Sequence, residues 1–403
     1  MRVLHDALAS AIGETPALTL DRLLTKKLSE QGVSASEAEI ARLRNLILSG
    51  QSDGLSIRSW RPWKRGEISI EITGDEVDEA AGSLLARVPA IVEDISASVS
   101  ADILRALDRS WPKQRRREAR QRRGFERRLR GRWGHAFDSL RMMLVIAREY
   151  GDDTNAELRQ PDFAEPHKMD VLTRLHARSS QIAHEVLALL ECGLADGAMA
   201  RWRSLHEVAT VALLIAANDD GLAERYALHQ IIESRRACRD YVACQERLGY
   251  EPMDPDNLRD LDGQCAGLLE RFGEPFGTDY GWASEVLHNK RPSFRDIERA
   301  AGIDHLRAHY RMASHNVHAN PKGVFFKLGL LGEVDILLAG PSNAGMSEPG
   351  QGTAIAVLQV SSALMTLQPN LDGIVTLKML QSMVDRVCDE FHGAHTQLVE
   401  DSA

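Results

Sequence analysis

Between Met169 and Asn218, apolar residues return every three or four positions, with one short break at Gly193. Leu172, Leu175, Ile182, Val186, Leu189 and Leu190 mark a helix from 169 to 192. Trp202, Leu205, Ala209 and Ala212 or Leu213 mark a second from 196 to 218. This period gives each helix one apolar face. Gly193 stands where helices stop, and so short a connection sends the second helix back along the first. The spacing therefore predicts a helical hairpin that must be covered by further helices.

The same period supplies them. Leu18, Leu20, Leu23, Leu24 and Leu28 mark a helix, and Ser36 with Glu39 form a capping box for the next. Val77 to Ile95 repeats the pattern, with Pro89 as an expected kink. Further helices are expected over 132–150, 222–248, 353–368 and 371–392. Alternation occurs in one place only: Ile68, Ile70 and Ile72 follow SIRSWRPW, so 55–73 reads as a small β-hairpin. The expected fold class is all-α. A run of 403 residues exceeds one ordinary core. The proline- and acid-containing stretch GDDTNAELRQPDFAEPHK then divides an N-terminal helical region, 1–160, from a C-terminal helical bundle, 165–395.

Composition narrows the class. Five widely spread cysteines form no CxxC pair and no zinc spacing, which points to reduced thiols in a cytoplasmic protein. No signal peptide is expected, because Arg2, His5 and Asp6 interrupt the first apolar run, and no stretch is apolar enough to span a bilayer. The net charge of −9 argues against a general nucleic-acid coat, but the charge is uneven. Residues 113–132, KQRRREARQRRGFERRLRGR, hold eleven Lys or Arg against two Glu, a local +9 that leaves about −18 for the remainder. Gly124, Gly131 and Gly134 argue against one unbroken helix there. Arg115, Arg116, Arg117, Arg120, Arg122, Arg123, Arg127 and Arg128 are the candidate nucleic-acid contacts. The alternatives are a solvated face paired to acidic neighbours, or contact with a membrane surface.

A second constellation is Ile303–Gly323, IDHLRAHYRMASHNVHANPKG, with four of the chain's fourteen histidines. It reads as one helix stopped by Pro321 and Gly323, with Leu306, Tyr310, Ala313 and Val317 facing a core. Arg307, Arg311, Ser314 or His315, and His318 form the neighbouring stripe. On such a helix Arg311 and His318 project from the same side, about 10 Å apart along the axis. A guanidinium beside an imidazole suits phosphoryl chemistry on RNA, and equally suits a structural hydrogen-bond network. Arg203 and Glu207 are spaced as an ion pair, with Glu207 also able to orient Arg311 or His318. His206, His315 and Tyr310 are candidate pocket-lining residues, and Ser314 is a nucleophile candidate without a triad pattern. His305 and His309 have metal-ligand spacing but no acidic partner, so no metal and no cofactor are expected. Asp279, Tyr280 and Trp282 read as a turn packed on the bundle. P-loop, GxGxxG, HExxH, GxSxG and EF-hand patterns are all missing.

Four segments in order, GLADGAMARWRSLHEVA, ERYALH, DYGWA and HYRMASHNVHANPKG, resemble the bacterial family known as domain of unknown function 5677, over roughly Asp170 to Lys327. That resemblance implies a helical domain without an assigned activity. The chain also resembles, more loosely, the higher-eukaryote-and-prokaryote nucleotide-binding (HEPN) superfamily of small, often dimeric helical bundles. Their Arg and His, with four to six residues between them on a late helix, match Arg311 and His318, which have six between them; Met312 departs from the polar residue that usually follows the arginine. The HEPN resemblance implies a metal-independent ribonuclease, working across a homodimer interface, of the toxin or phage-defence kind. His318 would be its acid or base and Arg311 its phosphate ligand. The other expectation is a non-catalytic scaffold or sensor that binds a partner protein or a small ligand through the same polar stripe.

Overall fold

The computed structural model describes residues 17–49, 70–158, 163–332 and 336–402. These divide into two compact units, Met1–Arg120 and Gln121–Ala403. Among the described residues there is no strand, and the fold is all-α. The expected hairpin falls mostly outside the described residues, and 70–73, the part that is described, forms no strand.

In the first unit, α1 covers 17–30 and α2 covers Glu37–Leu48. Leu24, Leu28 and Ile40 are its buried apolar residues. The Ser36/Glu39 capping box forms as expected, satisfying backbone N–H groups that the first turn of α2 leaves free. Arg44 pairs with Asp21, and Lys27 with Glu76, each at 2.6 Å.

Helix α3 runs from Gly74 to Leu158 through Pro89, Pro112 and the three glycines of the arginine block. The breaks expected there do not occur. An interior glycine costs a helix about 1 kcal/mol, a deficit that flanking arginines and leucines, good helix formers, spread over many turns. From 101 to 120 every α3 residue is exposed.

The second unit starts at Gln121, whereas the sequence places a boundary near residue 160. The reason is burial: Leu129, Trp133, Phe137, Leu140 and Leu144, three or four apart on α3, belong to the main core. Trp133 and Phe137 each pack their rings 6.0 Å from Phe391. Burying a large side chain of this kind contributes roughly 1.5–3 kcal/mol.

Helices α4 (Pro166–Glu191) and α5 (Ala195–Ala216) form the expected hairpin. Gly193 turns between them at φ +77, and a Cβ there would meet the Phe125 ring at 2.6 Å. Then come α6 (Asp220–Leu248), α7 (Pro255–Phe272), α8 (Phe294–Ala300), α9 (Arg307–Val317), α10 (Pro321–Phe325), α11 (Ser347–Met365) and α12 (Leu371–Glu400). Helix α5 packs against α4, α8, α9 and α11, while α11 also packs on α4 and α12. The central position of α5 brings its polar residues under α8 and α9. No helix among the described residues is long and apolar enough to cross a membrane.

Candidate functional site

Trp202 and His206 lie four apart on α5 and are both buried, 3% and 0% exposed. Arg203 and Glu207 follow each by one position, so they form the adjacent stripe, partly open to solvent. Over these two stripes sits α8, started by Ser293 and Asp296 in a second capping box. Its inward positions are Phe294, Ile297 and Glu298, and Glu298 is fully buried.

A carboxylate with no exposure needs partners, and Glu298 has two. One oxygen lies 3.0 Å from His206 Nε2, and the other accepts from Arg307 at 2.5 Å. An ionised carboxylate only accepts, so His206 carries its proton on Nε2 and offers Nδ1 as a lone pair. Burial pushes the His206 imidazole below its ordinary value, and the Glu298 carboxylate opposes that shift.

Tyr310 of α9 closes the cluster. Its hydroxyl donates to Glu207 at 2.7 Å and accepts from Arg203 at 2.8 Å, while Arg203 and Glu207 pair at 3.1 Å. Burial, followed by the bond to Glu207, holds the phenol up at about 12, so it remains a donor across ordinary pH. The Arg203 and Arg307 guanidiniums lie 5.0 and 5.3 Å from the Tyr310 ring centroid, in cation–π contact.

The ring of Phe294 packs in tilted contact with Tyr310, 4.9 Å between centroids, and with Tyr280, 6.2 Å, linking the cluster to an open cleft. That cleft, about 880 Å³, is walled by α4, α5, α6 and the segment around Asp279–Trp282, with Arg174, Glu207, Tyr226, Tyr280 and Trp282 in its lining. Arg225 fixes the segment: it is 7% exposed and donates to the Trp282 carbonyl at 3.0 Å and to Ser284 Oγ at 3.2 Å. His229 sits 2.9 Å from the Thr278 carbonyl. The expected turn at Asp279, Tyr280 and Trp282 is thus held by two residues of the ERYALH segment.

The arrangement differs from the single helix expected over Ile303–Gly323. A short 3-10 turn, Asp304–Leu306, precedes α9, and α9 ends at Val317. His318 has extended backbone (φ −105, ψ 144), so the helical register that would align it with Arg311 stops one residue before it. Asn320 then caps α10, its side chain accepting from the Gly323 N–H at 2.9 Å. A Cβ on Gly323 would lie 1.9 Å from the His315 carbonyl oxygen, so the last turn of α9 lies directly against that glycine.

Of the residues singled out from sequence, Arg203, Glu207 and Tyr310 meet. Ser314 donates back to the Tyr310 carbonyl at 2.8 Å, and His315 Nδ1 lies 2.7 Å from the Asn320 amide. Arg311 and His318 are exposed, and neither side chain has a hydrogen bond or ion pair among the described residues. Glu207 engages Arg203 and Tyr310, not Arg311 or His318. No group of metal-ligating side chains occurs among the described residues. Glu298 and Arg225 were missed. The capping box at Ser293 was the available signal for α8, and would have placed Phe294, Ile297 and Glu298 on one inward face.

The arginines of α3 divide between the units. Arg115, Arg116, Arg117 and Arg120 in the first, and Arg122, Arg123, Arg127 and Arg128 in the second, are all exposed. Of these, Arg122 pairs with Glu126 at 2.7 Å; the other seven have no acidic partner among the described residues. Further along, Arg130 reaches Asp138 at 2.9 Å and Arg132 reaches Asp401 at 2.6 Å.

Residues 169–331 match the model of a family of unknown function, DUF5677. No curated protein and no solved structure matches the chain. The matched segment takes in the polar cluster and the cleft, and excludes the arginines of α3.

Proposed function

We propose that this chain, which joins a DUF5677 segment to an arginine-rich helix, is an RNA-binding protein. The observation that supports this is the state of the guanidiniums of α3 in the second unit. Arg123, Arg127 and Arg128 have no acidic partner among the described residues, although the chain is acidic overall. Arg132 bonds Asp401 through Nη2 and leaves Nε and Nη1 buried without a hydrogen-bond partner. Arg128 and Arg132 line a groove of about 390 Å³ with Phe125, Asn343 and Gln397. A helix face balanced by its own neighbours would not leave these donors free. Phosphate oxygens fit the exposed guanidiniums of Arg123, Arg127 and Arg128, because the guanidinium fork matches two oxygens at once.

Cleavage is a further step of the same proposal, in the manner of the HEPN nucleases. Arg311 would hold the scissile phosphate and His318 would move the 2′-hydroxyl proton. What supports it is that both side chains are exposed and unengaged. What weighs against it is that they do not share a helix face.

The test is fluorescence anisotropy with labelled tRNA at several salt concentrations, comparing the parent with the triple variant Arg123→Glu, Arg127→Glu, Arg128→Glu. Neutralised phosphates release counterions, so the parent should weaken steeply with salt; the variant should bind at least ~10-fold more weakly with a shallower slope. Equal affinity for parent and variant would overturn the proposal. The same RNA incubated in EDTA with Arg311→Ala and His318→Ala decides the second step: cleavage unaffected by either change removes both from catalysis.

The rival reading, a sensor of a small ligand, is favoured by a different observation, the small, partly open pocket lined by Trp202, His206, Gln351 and Gln359.

A further inference from the structure

From 101 to 120 every residue of α3 is exposed, a length of about 30 Å at 1.5 Å per residue. A helix bare to water on all sides is expected to be polar all round. This one instead carries Ile103, Leu104, Leu107 and Trp111, each more than half exposed. With 3.6 residues to a turn, the four fall within an arc of about 100°. Val99, Ser100, Ser110 and Gln114 extend that stripe without a charge, whereas Asp102, Arg105, Asp108, Arg109 and Lys113 all lie outside it. Arg105 and Asp102 pair with each other on the far side at 2.6 Å. An uncharged stripe about four turns long, apolar at its middle and spaced by threes and fours, is what one helix presents to another.

Charge says which helix. Residues 74–102 hold seven Asp or Glu against one Arg, and residues 103–120 hold seven Lys or Arg against two acids. The stripe therefore sits between an acidic and a basic length of the same helix. Within the basic length, Lys113 and Arg117, and Arg116 and Arg120, repel at the i, i+4 spacing. A parallel copy would set one basic block beside the other and add to that repulsion. An antiparallel copy with its two-fold axis at Leu107 does the reverse. Lys113–Arg120 of each chain then runs beside 94–101 of the other, where no Lys or Arg occurs and Glu93 and Asp94 stand at the end. Helix axes in such a pair are about 8–10 Å apart, within the reach of unscreened charge.

We propose that this face of α3 docks a second copy of the chain, as an antiparallel helix pair centred on Leu107. The contact is self-complementary: the same stripe serves both partners, and the opposite charges on its two sides set their direction. The seam uses none of Arg123, Arg127 and Arg128, so it stands or falls apart from RNA binding.

Sedimentation velocity of the full chain, from low micromolar to submillimolar concentration, tests this. A reversible monomer–dimer equilibrium is expected. The triple variant Ile103→Gln, Leu107→Gln, Trp111→Gln should dissociate at concentrations at least ~10-fold higher, since it removes apolar contact from both helices. These side chains are exposed in the single chain, so helix content and the thermal melt at low concentration should stay as in the parent. Direction is read by cysteine cross-linking under mild oxidation, with the parent as control for its own five cysteines. Ser100→Cys and Gln114→Cys, equally far from Leu107 on either side, should cross-link when the two variants are mixed and not when each is alone. A parent that stays monomeric throughout overturns the proposal and leaves the stripe to a different partner. A dimer that the triple variant leaves intact overturns it too, because the contact then lies elsewhere. Ser100→Cys cross-linking to itself would overturn the antiparallel arrangement.

Discussion

At the scale of single residues, two buried histidines show how a partner sets the behaviour of a ring. His206 faces the Glu298 carboxylate, which partly offsets the burial that lowers its pKa. His176, 4% exposed, has only Ser361 Oγ at 3.3 Å, and burial pulls it from 6.5 down to about 4. Between those values the unfolded chain binds a proton that the folded chain refuses, so stability rises with pH there. The contribution is complete above about pH 6.5 and is lost as pH falls toward 4. Linkage puts the loss between pH 7 and pH 5 at about 2 kcal/mol for this residue. Urea denaturation at both pH values should show that His176→Gln is less sensitive to acid than the parent by about that amount. Equal sensitivity would mean that the ring titrates normally. The residue-level site was legible in part. Arg203, Glu207, Tyr310 and His206 were all marked by their spacing on α5 and in the 303–323 stretch. Glu298 was not, because a single acid in FRDIERA looks like any solvated charge until α8 is seen to turn it inward over His206.

At the scale of elements, glycine is where sequence reading and structure part, and in opposite directions. Gly124, Gly131 and Gly134 suggested that α3 would break, yet the helix continues through them. Pro321 and Gly323 suggested a stop at their own positions, yet α9 ends earlier, at Val317, because Asn320 must lie outside a helix to cap α10. Propensity is a local weight; a cap and a close backbone approach are geometric demands, and they prevail. The same substitution should therefore have opposite signs at two sites. Gly131 is exposed with nothing within 4 Å of an added Cβ, so Gly131→Ala should stabilise by roughly 0.5–1 kcal/mol. At Gly323 the added carbon would meet the His315 carbonyl, so Gly323→Ala should destabilise by more than about 1 kcal/mol. Thermal melts of the two variants beside the parent check both, and a destabilised Gly131→Ala would mean that the helix relies on that position for more than backbone continuity.

At the scale of the whole molecule, the question is what each unit needs from its own residues. The all-α class followed directly from apolar spacing. The sequence places a division at the prolines and acids around residue 160, which look like a linker, whereas the compact units divide after Arg120 according to which residues reach the core. Every member of the main core, from Leu129 to Leu398, belongs to the second unit. The stretch of α3 that leads into this unit, from 101 to 120, is exposed throughout. A chain of residues 121–403 is therefore expected to fold alone, melting cooperatively within about 5 °C of the full protein, the shift that a change of one or two kcal/mol produces at this size. It loses Lys113, Arg115, Arg116, Arg117 and Arg120 but keeps Arg123, Arg127, Arg128 and Arg132, so RNA affinity should fall without vanishing, with a shallower dependence on salt. Circular dichroism melts and the RNA-binding assay on this fragment separate the contributions. A fragment that melts without cooperativity would show that the first 120 residues stabilise the core by a route other than direct burial. RNA affinity equal to that of the full chain would confine the binding surface to the arginines beyond Arg120.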